Sequence, residues 1–313
     1  TQAYNASDTE NDNIAIGYRA LYANTAGGVR NIAIGNYAGD SITSADDNTL
    51  VGYTAGSAIT TGVANTFIGQ EAGLLTVGGT SNTALGNLAL RNNSGASHNV
   101  AVGRSALAAN LVDGNTAVGR SAMTANTTGV ENVAVGYNAL VANTTSDDNT
   151  AIGSTALTTS DGGYGNTAVG RNAMRDYTTG YTSVAVGANA LLVCTTGYDN
   201  VSVGKDAGLR ITDGHGNTAV GTGGGSLTTT GDFNVTVGQN ANIDATDSNG
   251  ISIGYNFTGA GNNFSFGKAS NVVTNDFDAD ADWGRSSDVR LKDNIQSTEV
   301  GLDFINLLRP VKF

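Results

Sequence analysis

The chain has 313 residues, of which 44 are glycine and 13% are charged, with 15 Lys and Arg against 27 Asp and Glu for a formal net charge of −12. One cysteine and two well-separated histidines exclude a disulfide framework and a Cys- or His-rich metal site, and we expect no cofactor. The excess of acidic residues argues against general nucleic-acid binding. No apolar run reaches about 18 residues, so no membrane insertion is expected. Nothing after Thr1 predicts a signal peptide.

A repeat dominates the chain. Residues 1–12 form a lead-in, and residues 13–270 form the repeat domain. Its motif is Asn, then Thr, Val or Ile, then a small residue, then Val or Ile, then Gly, as in Asn115–Gly119. Sixteen copies occur, and the spacing between their final glycines is 17 residues in most intervals. Such regularity predicts stacked structural units rather than disorder.

Each unit is too short for a helical hairpin, so we predict strands and turns. The motif reads as a strand, and an Ala-Leu pair such as Ala106-Leu107 predicts a second short strand before a polar turn such as Asn126–Gly129. Stacked units predict an all-β fold, a parallel β-solenoid (β-roll) of about sixteen 17-residue coils. At about 4.8 Å per coil the rod would be roughly 75 Å long.

The alternation of side chains along a strand gives each coil two faces. Thr116 and Val118 point one way and Ala117 points the other. We expect the fourth-position Val or Ile to fill the coil interior and the small third residue to form an outer face that packs identical rolls together. The prediction is a homotrimer, with a monomeric solenoid as the alternative. The motif Asn is expected to form a side-chain ladder along the rod.

The motif Asn-Thr-Ala-Val-Gly, followed by Ala-Leu, resembles the head repeat of trimeric autotransporter adhesins. The same type of repeat occurs in phage tail fibres. The resemblance covers residues 13 to about 267 and implies a left-handed parallel β-roll that forms a tight trimer. The units are longer here than in that family's usual repeat.

The composition changes after the repeat. Residues 271–286 form an acidic linker, which lacks the Gly and Glu positions of a calcium-binding EF-hand loop. In residues 287–313, Leu302, Ile305 and Leu308 share one helical face, so this C-terminal segment is predicted to contain a short α-helix that Pro310 ends.

The C-terminal segment carries the sharper motif. Ser-Asp-x-Arg-Leu-Lys-x-Asn-Ile, followed by Gly-Leu-Asp-Phe-Ile-Asn, resembles the start of the intramolecular chaperone domain of phage tailspikes and tail fibres, the S74 peptidase family. The resemblance covers residues 287–313 and implies a Ser-Lys dyad with Ser287 as nucleophile, Lys292 as its base and the bond to Asp288 as the scissile bond. Serine needs such a base to become a nucleophile, and lysine can act as one when burial or the neighbouring Arg290 lowers its pKa.

Three functions follow as hypotheses. The first is a structural and adhesive fibre of a phage virion, a homotrimeric rod that contacts a host-surface glycan or protein receptor and other virion tail proteins. The second is the head of a bacterial trimeric autotransporter adhesin at the cell surface. The third is a tailspike that degrades surface polysaccharide. That chemistry usually needs two carboxylates that face each other in a groove, whereas acidic pairs such as Asp46-Asp47 are expected in turns. Enzyme activity beyond one self-cleavage is therefore not expected.

Two further features concern single residues. Cys194 is expected to be a small buried hydrophobic residue. Aromatic residues of the long turns are candidates for stacking on receptor sugars, or else cover turn backbone: Tyr164, Tyr177, Tyr181, Tyr198 and Phe233.

Overall fold

A computed structural model describes residues 12–24 and 27–279. The chain divides into two compact units, Thr1–Thr274 and Asn275–Phe313. The predicted helix of the C-terminal segment lies outside the described residues. The described residues belong to the first unit and, from Asn275 to Ala279, to the second.

The first unit is a parallel β-solenoid, as predicted. Nineteen short strands are present and the described residues contain no helix. The strands are β1 Ile14–Ile16, β2 Ile32–Ile34, β3 Thr49–Val51, β4 Thr66–Ile68, β5 Thr83–Leu85, β6 Val100–Val102, β7 Thr116–Val118, β8 Val133–Val135, β9 Thr150–Ile152, β10 Thr167–Val169, β11 Val184–Val186, β12 Val201–Val203, β13 Thr218–Val220, β14 Val235–Val237, β15 Ala241–Ile243, β16 Ile251–Tyr255, β17 Phe257–Gly259, β18 Asn263–Lys268 and β19 Asn271–Asp276.

All sixteen motif copies form strands of one sheet, namely β1 to β14, β16 and β18. Each pairs in parallel with the next copy, position for position, so that Ala117 in β7 lies beside Ala134 in β8. β15 and β17 pair separately, and β19 completes the 17-stranded sheet. The sheet therefore extends six residues past the expected end of the repeat domain at residue 270.

The second strand predicted around the Ala-Leu pairs is wrong for most coils. The pair Ala106-Leu107 lies in a turn, and the backbone of Leu107 is left-handed with φ of 49°. Its amide nevertheless donates to the carbonyl of Ala122 one coil further on, at 3.1 Å. A left-handed residue interrupts an extended segment, so the chain turns back here while keeping its bonds to the next coil. Only β15 and β17 are strands at this place.

The predicted assignment of the two strand faces is also wrong, and the faces are reversed. The third-position Ala117 is fully buried inside the coil, whereas Thr116 and Val118 face outward and are half-buried. The cause is the thinness of the coil. Its opposite wall lies so close that a small side chain already fills the space, and the larger β-branched residues are left outside.

Where the third motif position carries a large side chain, the opposite wall of the coil has a glycine. The third position is occupied by Leu50 in β3 and by Phe67 in β4, and both are fully buried. The opposite wall has glycine there: a Cβ at Gly56 would lie 2.7 Å from a methyl carbon of Leu50, and one at Gly73 would overlap the ring of Phe67. Such complementarity keeps the interior at native packing density.

The predicted asparagine ladder is confirmed. In one typical coil, Asn132 donates from its side-chain amide to the carbonyl of Ser146 at 2.8 Å, and its side-chain oxygen accepts from the backbone amide of Asn149 at 3.0 Å. Both bonds are buried, so the amide groups are satisfied at each step of the stack. The ladder's other members include Asn31, Asn48, Asn65, Asn82, Asn99, Asn115, Asn166, Asn200, Asn217 and Asn234.

Ser183 interrupts this ladder, and Tyr177 explains why. The Tyr177 ring is fully buried in the preceding coil, and its hydroxyl oxygen lies 2.8 Å from Ser183 Oγ and 2.6 Å from the carbonyl oxygen of Gly197. In a regular coil, the side-chain amide of the ladder Asn would donate to this carbonyl. Burial raises the pKa of Tyr177 well above its usual value, so the hydroxyl keeps its proton and can donate.

Replacing Ser183 with Asn is expected to destabilise the chain by about 1–3 kcal/mol, because the longer side chain competes with the tyrosine ring for the same space. Adding Tyr177→Asn should recover most of the loss, since Asn126 and Asn132 coexist at the equivalent positions. Thermal unfolding of the two single variants and the double variant measures the coupling. Additive losses would show that the two residues do not compensate each other.

Candidate functional surface

One outward surface runs the whole length of the sheet. We call it the sheet face: the side chains at the second and fourth positions of the sixteen motif strands. None of these side chains is charged. Large apolar residues that are more than a third exposed on this face are Ile14, Ile16, Ile34, Ile68, Leu85, Ile152, Val186, Val201, Val203, Val220, Val237, Ile253 and Phe266.

The sheet face is unusual for a surface open to water. Successive strands of a sheet lie about 4.8 Å apart, so the fourth-position side chains form one continuous apolar column, and the second-position column contains both Thr and apolar residues. Ile16, at one end of the sheet, is 59% exposed in the single chain. A monomeric soluble protein rarely exposes an apolar patch beyond a few hundred Å², and this face spans sixteen strands. Such a surface is typical of one that another molecule covers.

A second feature is a ladder of aromatic rings, which we call the ring ladder. The rings of Tyr164, Tyr181, Tyr198 and His215 stack with centroid distances of 5.3, 4.7 and 4.7 Å and nearly parallel planes. Phe233 follows in an edge contact with His215 at 5.1 Å. Stacking of this kind stabilises neighbouring coils by about 0.5–1.5 kcal/mol per pair. It also covers the ring faces between successive members.

The ring ladder alters the list of aromatic candidates for sugar contacts. Tyr177 is fully buried, so it cannot contact a receptor, whereas Tyr164 and Phe233 are more than half exposed. His215 belongs to the ladder and was missed. Its signal was present in the sequence, because it stands two residues before a motif Asn, as Tyr164 does. Contact with a sugar stays a prediction.

The paired aspartates of the turns accept hydrogen bonds from the neighbouring coil. Asp46 accepts from the amide of Val29 at 2.8 Å, and Asp147 accepts from the amide of Val130 at 2.8 Å. Asp47 forms a bidentate pair with Arg30, and these hydrogen bonds lower the pKa of its carboxyl. These bonds link successive coils, so the acids have a structural use.

The remaining candidate sites concern a free thiol, metal binding, a membrane span and the predicted Ser-Lys dyad. Cys194 is buried as predicted, and burial raises the pKa of its thiol to about 12, which keeps it in the unreactive protonated form. Within the described ranges, no cluster of three or more His, Cys, Asp and Glu could hold a metal ion. No helix among the described residues has the length and hydropathy needed to cross a membrane. Ser287, Lys292 and Asp288 lie outside the described residues, so the predicted dyad stays a prediction.

Comparison with known proteins assigns no family. No protein-family model matches the chain, and no curated protein matches it. The sheet face and the ring ladder are therefore the features from which a function can be argued.

Proposed function

We propose that this protein is a structural and adhesive fibre of a phage virion, a rigid homotrimeric rod for attachment to the host surface, assembled with a self-cleaving C-terminal chaperone. The observation that carries the proposal is the sheet face, which is uncharged along all sixteen motif strands and has an apolar residue at every fourth position. The surface requires a partner of equal length and flatness, and a second copy of the same chain has both.

Rotation about an axis parallel to the rod brings the sheet faces of identical chains together over their full length. Three chains arranged so would place their Val, Ile and Thr side chains around the axis. Full burial of an exposed apolar side chain contributes about 1.5–3 kcal/mol, and each of these side chains contributes less because it is already partly buried in the single chain. The contact surface is then the second and fourth motif positions. The small third residues, which we expected in this role, lie inside each coil.

A structural function agrees with the interior of the rod. Each coil bonds to the next through its strand, its turns and the asparagine ladder. A stack of coils bonded in this way can transmit force along its length and hold its two ends a fixed distance apart. The ring ladder, which is exposed at Tyr164 and Phe233, is a surface on which receptor contacts could form.

The head of a bacterial trimeric autotransporter adhesin is the second candidate, because its repeat has the same motif. The C-terminal segment separates the two proposals. The resemblance of residues 287–313 to the S74 family favours the fibre, in which the chaperone aligns three chains and is then cut away. Once the chaperone has been removed, an unfolded chain could not refold into register, so the folded fibre would be kinetically stable.

Processing at Ser287 distinguishes the candidates. We expect the product of the complete gene to yield a chain that ends at Ser287, and Ser287→Ala to leave the chain uncut, because the alanine has no nucleophilic oxygen. The intact mass under denaturing conditions measures both, with Ser286→Ala as the matched control that should be cut normally. An uncut wild-type chain would remove the dyad and favour the adhesin head.

A further inference from the structure

The two ends of the motif strands carry opposite charge. We define the exit edge as the residue after the final Gly of each motif, and the entry edge as the two residues before each motif Asn. The exit edge carries no acid among the described residues, and its cations are Arg104, Arg120, Arg171, Lys205 and Lys268. The acids of the entry edge are Asp12, Asp46, Asp47, Asp113, Glu131, Asp147, Asp148, Asp199 and Asp232, and its one Lys or Arg is Arg30.

This segregation stands out in a protein with a net charge of −12, because half of the ten described Lys and Arg residues lie on the exit edge. Arg104 and Arg171 are exposed and have no ion pair within the described part of the chain. Arg120 is also exposed and lies over the ring of Tyr137 at 5.6 Å. Lys205 lies 3.5 Å from the carboxylate of Asp206, and Lys268 lies over the ring of Tyr255 at 5.9 Å. The three arginines of this edge are thus the cations available to an external partner.

The two edges of one chain cannot neutralise each other. Six residues separate an entry-edge residue from the exit-edge residue of the same strand, as Glu131 is from Tyr137. At about 3.3 Å per residue this is roughly 20 Å, which is beyond the screening length of about 8–10 Å at physiological ionic strength. Apart from the ion pairs Arg30–Asp47 and Lys205–Asp206, charges of the two edges can be paired with each other only through another molecule.

We propose that the exit edge of one copy contacts the entry edge of the next copy around the axis. This inference rests on the proposed assembly through the sheet faces. When copies are related by rotation about an axis parallel to the rod, their strands run around that axis in one sense. The exit end of each strand then meets the entry end of the neighbour's strand, and closed symmetry places equivalent coils at the same height.

The residues at matching heights are complementary. Arg120 is level with Asp113 and one coil from Glu131, and Lys205 is level with Asp199. Arg104 is one coil from Asp113, and Arg171 is one coil from Asp148. The long side chains of Arg and Lys span the coil spacing of about 4.8 Å. Arg30, the entry-edge cation, is level with Asn36 on the exit edge.

The charges also select the direction of the rods. If two rods packed sheet face to sheet face in opposite directions, with a two-fold axis along the strands, exit edge would lie against exit edge. Cations such as Arg104 and Arg120 would then face the partner's cations. Like charges across an interface disfavour the wrong arrangement, whereas opposite charges favour the correct one. The edges therefore specify parallel copies.

A charge exchange at Arg120 and Glu131 tests the pairing, because within one chain these residues are too far apart to interact directly. In the full chain, Arg120→Glu and Glu131→Arg are each expected to raise the dissociation constant of the assembly roughly tenfold, since the change recurs in every copy. The double variant should recover most of the loss, and the recovery should fade in high salt. Arg210→Glu is the control, an exposed cation on neither edge.

The outcomes separate this inference from the assembly itself. An assembly whose double variant shows the sum of the two single losses overturns the edge pairing and leaves the packing of sheet faces intact. A chain that is monomeric in every variant, including wild type, overturns the proposed assembly on which the pairing rests. Recovery in the double variant with no effect of Arg210→Glu supports the pairing.

Discussion

Replacing Val118, Val135 and Ile152 together with Asp is expected to abolish the proposed trimer and to leave the solenoid of each chain folded. These side chains point outward from β7, β8 and β9 and contribute nothing to the coil interior. In the single chain a carboxylate at these positions would remain in water. In the trimer three neighbouring strands of every chain would bring carboxylates to the axis, where burial of an unpaired charge is strongly unfavourable.

Sedimentation velocity gives the mass of this variant, and circular dichroism shows whether its strands are retained. The matched control replaces Leu111, Thr128 and Thr145 with Asp, which adds the same charge at exposed positions of the long turns. We expect the control to remain trimeric. A trimer formed by the sheet-face variant would show that the copies associate through another surface.

Gly136→Ala is expected to unfold or severely destabilise the solenoid, with a loss of about 3 kcal/mol or more. Gly136 closes the eighth motif, and its φ of 138° is strained for any residue with a side chain. An added Cβ would lie 2.6 Å from the carbonyl carbon of Gly153 in the next coil. The obstructing atom belongs to the backbone, so no side chain can rotate away, and the two coils would have to separate.

Thermal unfolding of the full chain measures this loss. Gly95→Ala is the matched control, because a Cβ there meets no atom within 4 Å and its φ is not in the left-handed region. The control is expected to change stability by less than about 1 kcal/mol. If both variants melted at the same temperature, the close backbone contact between final glycines would not limit stability.

The repeat predicted the sixteen motif strands and their parallel stacking, because a strict period gives each motif an equivalent neighbour one coil away. It also predicted the asparagine ladder, whose geometry follows from stacking identical coils. The orientation of the strand faces could not be obtained from alternation alone. Alternation places Ala117 opposite Val118, and only the distance to the other wall of the coil decides which of them is inside.

A signal for the correct orientation was nevertheless present. The third positions that carry Leu50 and Phe67 coincide with coils in which the Ala-Leu pair becomes Ala-Gly, at Gly56 and Gly73. A large residue matched by a missing side chain indicates that the two share one interior. The left-handed backbone at Leu107 left no such trace, since a leucine gives no local sign of positive φ. The Ser-Lys dyad was predicted by resemblance alone and lies outside the described residues.

Sedimentation equilibrium of the native wild-type chain gives the number of copies in each particle and so tests the proposed trimer. We expect three chains per particle, each of 31.5 kDa for its 313 residues, or correspondingly shorter if processed at Ser287. A single chain in solution, stable at low and high concentration, would contradict it, because the sheet face would then be exposed to water along its whole length.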